Sequence, residues 1–157
     1  MGIGLPDRTV QQVIHIMGRV RRAVTLGVRV LVRNADGEIL LIRHTYVSGW
    51  HMPGGAVDRG EAMAEAAVRE VREECGVDLL ERPRLVSIHT NEALKGRDHV
   101  GFFIASQWTE GLHFLKPNAE VAEMGFFALD QLPNETTKPT RSRLDETLNG
   151  TPPTLAW

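Results

Sequence analysis

Apolar residues recur three and four apart in "TVQQVIHIMGRVRRAV", at Val10, Val13, Ile14, Met17 and Val20, a spacing that predicts an amphipathic helix over residues 9–21. We read it as packed on the domain that follows, rather than lying on a membrane surface. "VTLGVRVLVR" and "EILLIRH" read as strands, and "NADG" between them predicts a tight turn that joins them as a hairpin. From Glu61 to Cys75 no Pro or Gly interrupts an Ala-rich run, and Gly76 stands where helices commonly stop, so 61–75 is the strongest helix in the chain. "VDLLERPRLVSIHT" and "HVGFFIASQWT" read as strands joined by the polar "NEALKGRD", and "MGFFAL" as another. "TKPTRSRLDETL" predicts a last helix, followed by a frayed, Pro-rich "GTPPTLAW". This gives an N-terminal extension over 1–21, one domain over 22–148 and a tail over 149–157.

At about 100° per residue, Ala64, Ala67, Val68, Val71 and Cys75 share the core side of helix 61–75. Glu70, Glu73 and Glu74 share an adjacent, open side. Three acids so placed repel one another, at a cost comparable with the about 0.2–0.5 kcal/mol that each i,i+4 pair Glu65–Arg69 and Arg69–Glu73 returns. Energy alone therefore leaves two readings, a solvated surface or a cation site. The preceding "PGG" bends tightly and leaves its carbonyls unshielded, and a hard divalent cation wants several oxygens from such a frame.

Charge and composition narrow the partners. The chain has 157 residues and a formal charge of -2, with a pI near 6.3. It has no general basic field for nucleic acid or an acidic membrane, and any phosphate binding must be local. A single cysteine, Cys75, excludes an internal disulfide framework and fits a reducing compartment. No apolar run approaches membrane-spanning length and the N-terminus lacks the order of a secretion signal, so the expected location is cytoplasmic.

From Gly55 to Val77 the sequence reads "GAVDRGEAMAEAAVREVREECGV". It resembles the Nudix box, G-x5-E-x7-R-E-U-x-E-E-x-G-U with U aliphatic, at every specified position: Gly55, Glu61, Arg69, Glu70, Val71, Glu73, Glu74, Gly76 and Val77. The resemblance extends over roughly residues 22–148. It implies an α/β fold, an α/β/α sandwich with a mixed sheet between helices, and hydrolysis of a nucleoside diphosphate linked to another moiety. It further implies that Glu70, Glu73 and Glu74, with the Gly54 carbonyl, hold Mg²⁺ or Mn²⁺, while Gly55, Glu61, Arg69 and Gly76 support the loop and helix. The family is divided over the general base, which is the acid at Glu70 or a later one. Glu120 and Glu123 are the favoured later candidates, for catalysis or as an added ligand, and Asp98 reads more simply as finishing a turn.

Arg43 and Arg97 could reach a substrate phosphate or pair with neighbouring acids, and Trp50 could stack on a base or close the core edge. The six histidines show no metal-ligand spacing. Two other functions suit the same fold: a ligand-sensing domain that has lost hydrolysis, and an isoprenoid-diphosphate isomerase, which relies on a reactive cysteine. The box glutamates are all present, and Cys75 lies on the core side of the helix. No subfamily tag specifies the leaving group, so modified nucleoside triphosphates, dinucleoside polyphosphates, nucleotide sugars and capped RNA ends all stay open. Small nucleotides are favoured by the absence of a broad basic surface, and the N-terminal helix could pair two copies as a homodimer.

Overall fold

A computed structural model describes residues 24–91 and 97–157. The helix expected over 9–21 and most of "NEALKGRD" lie outside them. Among the described residues seven strands run in chain order: β1 Thr25–Val32, β2 Ile39–His44, β3 Val77–Leu79, β4 Arg84–Asn91, β5 Asp98–Ala105, β6 Trp108–Glu110 and β7 Val121–Phe127. Helix α1, Met63–Cys75, lies between β2 and β3, and helix α2, Lys138–Leu148, follows β7.

The "ILLI" run of β2 is apolar without alternation because both of its faces are covered. Leu40 and Ile42 join Val28, Val30 and Val32 of β1 against Ala64, Ala67, Val71 and Cys75 of α1. Ile39, Leu41 and Leu31 turn the other way, towards Phe102 and Leu144 of α2. One helix thus covers each face. β5 pairs parallel with β1 and antiparallel with β4, so the sheet is mixed, as expected.

The hairpin expected from "NADG" does not form beyond its turn. The Asn34 side-chain oxygen accepts from the N–H groups of Asp36 and Glu38, and Gly37 takes φ +81°, so the turn itself closes. Past the single bridge Arg33–Ile39 the strands part: β1 runs along β5, and β2 runs antiparallel to β7. The segment 51–57 enters between them. His51 bridges Ile42, while the Pro53 and Gly55 carbonyls accept from Val30 and Val28 at 2.9 and 2.8 Å.

Helix α1 starts at Met63, two residues later than expected, because Glu61 is held back in the preceding turn by the Asp58 N–H. Its first turn is closed by the Glu65 carboxylate accepting from the Ala62 N–H at 3.0 Å. Gly76 ends it in the left-handed conformation, and a Cβ there would meet the His113 and Phe114 backbone at 2.5 Å. Ala66 is buried where Val68 was expected.

The tail expected to fray is docked. The Thr90 N–H donates to Leu155 O and the Trp157 N–H to Thr90 O, each at 2.9 Å, so the last residues extend the edge of β4. The Trp157 ring packs against the second core. Among the described residues no helix is long and apolar enough to cross a membrane.

Candidate active site

Only glycine fits at position 54. Its φ is +139°, and a Cβ would lie 2.2 Å from the Val28 carbonyl oxygen, so the turn presses directly on β1. The Gly54 peptide is gripped from both sides. Its N–H donates to Glu74 Oε2 at 2.7 Å, and its carbonyl accepts from Arg29 Nη1 at 2.6 Å. Arg29 Nη1 also reaches the Met52 carbonyl at 3.0 Å. At Gly55, a Cβ would stand 2.6–2.8 Å from the Glu70 carboxyl atoms, so that carboxylate lies against the glycine backbone.

Arg69 ties the loop to the helix. Its Nε and Nη2 fork onto Glu61 at 2.8 and 2.9 Å, and Nη2 also reaches the Ala56 carbonyl. Nη1 holds Glu70 Oε1 at 2.8 Å and Glu73 Oε2 at 3.3 Å. The forked bond and the Asp58 N–H pull the Glu61 carboxyl down to about 2.

The three box glutamates do not share one open side. Glu73 is exposed, Glu70 is mostly covered and Glu74 is 4% exposed, because the "PGG" turn closes over the end of α1. Desolvation raises the Glu70 pKa, and it drives that of Glu74 to about 8 against the opposing Gly54 N–H and Arg29. Buried His44 places Nε2 3.7 Å from Glu74 Oε1, and burial, then Arg29, lowers its pKa. That contact joins two groups each pushed towards neutrality. Among the described residues no three His, Cys, Asp or Glu side chains converge as a ready cage: Glu70 and Glu73 turn to Arg69, and Glu74 to the Gly54 N–H.

The burial of Glu74 makes stability depend on pH. Between about 4.5 and 8 the folded state binds a proton that the unfolded chain has released, so this residue's contribution falls as pH rises through that window. At about 1.4 kcal/mol per pKa unit, the upper bound is about 4–5 kcal/mol. The lowered pKa values of His44, His51 and His89 act oppositely, favouring folding as pH rises through their range. The difference between wild type and Glu74→Gln isolates the glutamate. In chelator, urea titrations should show that difference widening from pH 5 to pH 8 in favour of the variant.

Glu70, Glu73, Glu74 and Glu120 line one cleft of about 330 Å³ with Asn118 and Ala119. Asn118, which the sequence reading passed over, builds much of it. Its amide donates to the Glu73 and Glu74 carbonyls at 3.3 Å, and its oxygen accepts from the Glu120 and Val121 N–H groups at 2.9 Å. Glu123 lies outside the cleft, ion-paired with Arg43 across the β2–β7 ladder. Trp50 sets its ring on Phe127 at 5.0 Å in the second core, and Arg97 is exposed just before β5. Asp98 accepts from Thr25 Oγ1 at 2.8 Å and from Asn91 Nδ2 at 3.1 Å, joining β1 to the β4–β5 end. Cys75 is buried and its thiol pKa is pushed up by that burial, which leaves no reactive thiol among the described residues. A wider hollow, of about 720 Å³, lies on the outer flank of α1; of the box acids it takes in only Glu61 and Glu73, and the Gly54–Gly55 turn is not in its wall.

Residues 24–148 match the model of the NUDIX domain. A MutT NUDIX hydrolase from Burkholderia pseudomallei is 31% identical, superposes with a TM-score of 0.65, and is covered over 95% of its length by 77% of this chain. A Bacillus subtilis relative with a provisional 8-oxo-dGTP diphosphatase name is 50% identical over 52 residues, 33% of this chain and 35% of that one. The m7GpppN-mRNA hydrolase NUDT17 of Xenopus laevis is 40% identical over 65 residues, 38% of this chain. The chain thus spans only 35% and 22% of the length of these two curated relatives. With the domain match running through both cores and the whole glutamate cleft, the chain belongs to the NUDIX domain family.

Proposed function

We propose that this chain hydrolyses the diphosphate linkage of a small nucleoside-diphosphate derivative, with Mg²⁺ or Mn²⁺ as cofactor. The observation that carries the reading is the cleft itself, which lines up Glu70, Glu73, Glu74 and Glu120 beside the Gly54–Gly55 turn. The relatives' printed names, a MutT hydrolase, a diphosphatase and an mRNA cap hydrolase, support the reaction class and differ in substrate.

The donor set fits a hard cation. Desolvation pushes Glu70 and Glu74 towards protonation, and the neighbouring Arg69 and Arg29 offset it only in part, so a bound cation would complete the compensation. Glu70, Glu73, Glu74 and the Gly54 carbonyl would hold the ion, with Glu120 as an added ligand. A cation held there would draw charge from the diphosphate oxygens and acidify nearby water.

Arg69 holds Glu70 by Oε1, which leaves Oε2 to take the proton of the attacking water. The water oxygen bonds to phosphorus, the bridging P–O bond breaks, and its electron pair leaves on the departing phosphate. Asn118 positions Glu120 and ties it to the end of α1. Arg43 and Trp50, engaged by Glu123 and Phe127, play no direct part in this scheme. We place the protein in the cytoplasm, where its lone cysteine stays reduced.

The test is release of nucleoside monophosphate from a panel of nucleotides, with Mg²⁺, with chelator, and with Mg²⁺ restored. Hydrolysis that disappears with chelator and returns with the ion is expected; turnover indifferent to chelation overturns the reading. Mg²⁺ should also raise the melting temperature of wild type by binding the folded state alone.

A further inference from the structure

A second cavity, of about 330 Å³, opens beside the glutamate cleft. Its wall includes Gly27 and Arg29 of β1, Gly55 and Ala56 of the box turn, Asp98, and the terminal residue Trp157. Two residues of this wall reach towards the cleft. Gly55 lies against the Glu70 carboxylate and also lines this cavity, and Arg29 holds the Gly54 carbonyl while lining it too. A diphosphate in the glutamate cleft can therefore extend its attached group past Gly55 into this space.

The walls differ in chemistry. Trp157 presents a ring fixed from behind, with Arg143 Cζ 5.4 Å from its centroid and the His89 and Phe102 rings at 5.7 and 6.3 Å. Its backbone is fixed as well, by the bond to Thr90. Such a ring offers a flat apolar face at little ordering cost. Asp98 is a rigid acceptor, since Thr25 holds one oxygen and Asn91 the other, and each oxygen keeps a further lone pair. A carboxylate so placed accepts from N–H groups and repels carbonyls. Guanine offers two adjacent N–H donors on one edge and adenine or cytosine a single amino group, whereas uracil places its N–H between two carbonyls.

We propose that this cavity seats the nucleobase of the substrate, with Trp157 against the face of the base and Asp98 accepting from its amino edge, so that guanine nucleotides are preferred over uracil nucleotides. The proposal rests on the hydrolytic reading of the neighbouring cleft, but its test does not depend on hydrolysis.

Nucleoside monophosphates have no diphosphate bond to cleave. GMP, AMP, CMP and UMP titrated into the full chain in chelator should bind in an order led by GMP and ended by UMP. The Trp157 indole signal should shift most in two-dimensional NMR, and the tryptophan fluorescence change should be lost in Trp157→Phe. Asp98→Asn, which keeps an acceptor for Thr25, should weaken GMP by about tenfold or more and shrink its advantage over UMP. An unchanged GMP to UMP ratio in Asp98→Asn overturns the proposal, as do shifts centred on Trp50 instead of Trp157. Failure here beside chelator-sensitive hydrolysis removes only the base site, whereas base binding without any hydrolysis removes only the catalytic reading.

Discussion

Glu74→Gln should lower kcat/KM for nucleotide hydrolysis by about 10²–10⁴-fold, the range typical when a carboxylate central to the chemistry is lost. The same variant should be more stable than wild type in chelator at pH 8. Both expectations follow from the burial of Glu74, whose carboxyl is held near a pKa of about 8 by desolvation. Glutamine resembles the protonated form in size and keeps a carbonyl oxygen for the Gly54 N–H, so folding loses no hydrogen bond and no longer has to bury a charge. A structural role alone would give the reverse pattern, with stability reduced and activity falling only with it. Glu73→Gln separates the readings further. That side chain is 61% exposed and bonded only weakly to Arg69, so a lattice of surface charges predicts no change, whereas a cation site predicts a loss comparable with that at position 74. Glu70→Gln and Glu120→Gln then divide the proton acceptor from the added ligand. Near-normal turnover in both Glu73→Gln and Glu74→Gln would end the proposed mechanism.

How legible these features were depended on how local they are. Helix α1 could be read because its apolar spacing, its Ala content and the glycine that ends it lie within one short segment. Its partner strand β1 was legible as a strand but not in its pairing, since "VTLGVRVLVR" carries apolar character without saying which edge it will pair. The intruder between β1 and β2 is the loop 51–57, whose glycines suggest unshielded carbonyls for a cation and give no sign of a backbone that lies flat on β1. The misjudged exposure of Glu74 has the same origin. A helical wheel places it beside Glu70 and Glu73, but its lid is Gly54, twenty positions earlier. Arg29 left a fainter trace, a lone charge among Val28, Val30 and Leu31, all buried in the structure. The guanidinium donates to the Met52 and Gly54 carbonyls, which come from a loop more than twenty positions later.

Arg143→Met should destabilise the fold by about 3–5 kcal/mol in urea titration, the loss expected when one partner of a buried ion pair is removed. Arg143 has no exposed surface. Its Nη2 bonds Glu146 Oε1 and Thr154 Oγ1 at 2.6 Å, and its Nη1 bonds the Ala156 carbonyl at 3.0 Å. His89 Nδ1 lies 2.9 Å from Arg143 Nη1 and 2.8 Å from the Thr154 carbonyl, contacts that require opposite tautomers, so the ring serves one of them at a time. Methionine retains the apolar stem but strands the Glu146 carboxylate, only 7% exposed, without its cation. Adding Glu146→Leu should recover part of the loss by removing the stranded charge, and a double-mutant cycle measures how much. The consequence for function is directional. Arg143 adds side-chain anchors at Thr154 and Ala156 to the Thr90 backbone bonds that dock this segment, so the single variant should loosen the Trp157 wall and weaken GMP binding. Among the described residues the glutamate cleft, built from α1, the "PGG" turn and Asn118, shares no side-chain hydrogen bond with this network, and the rise in melting temperature on adding Mg²⁺ should persist.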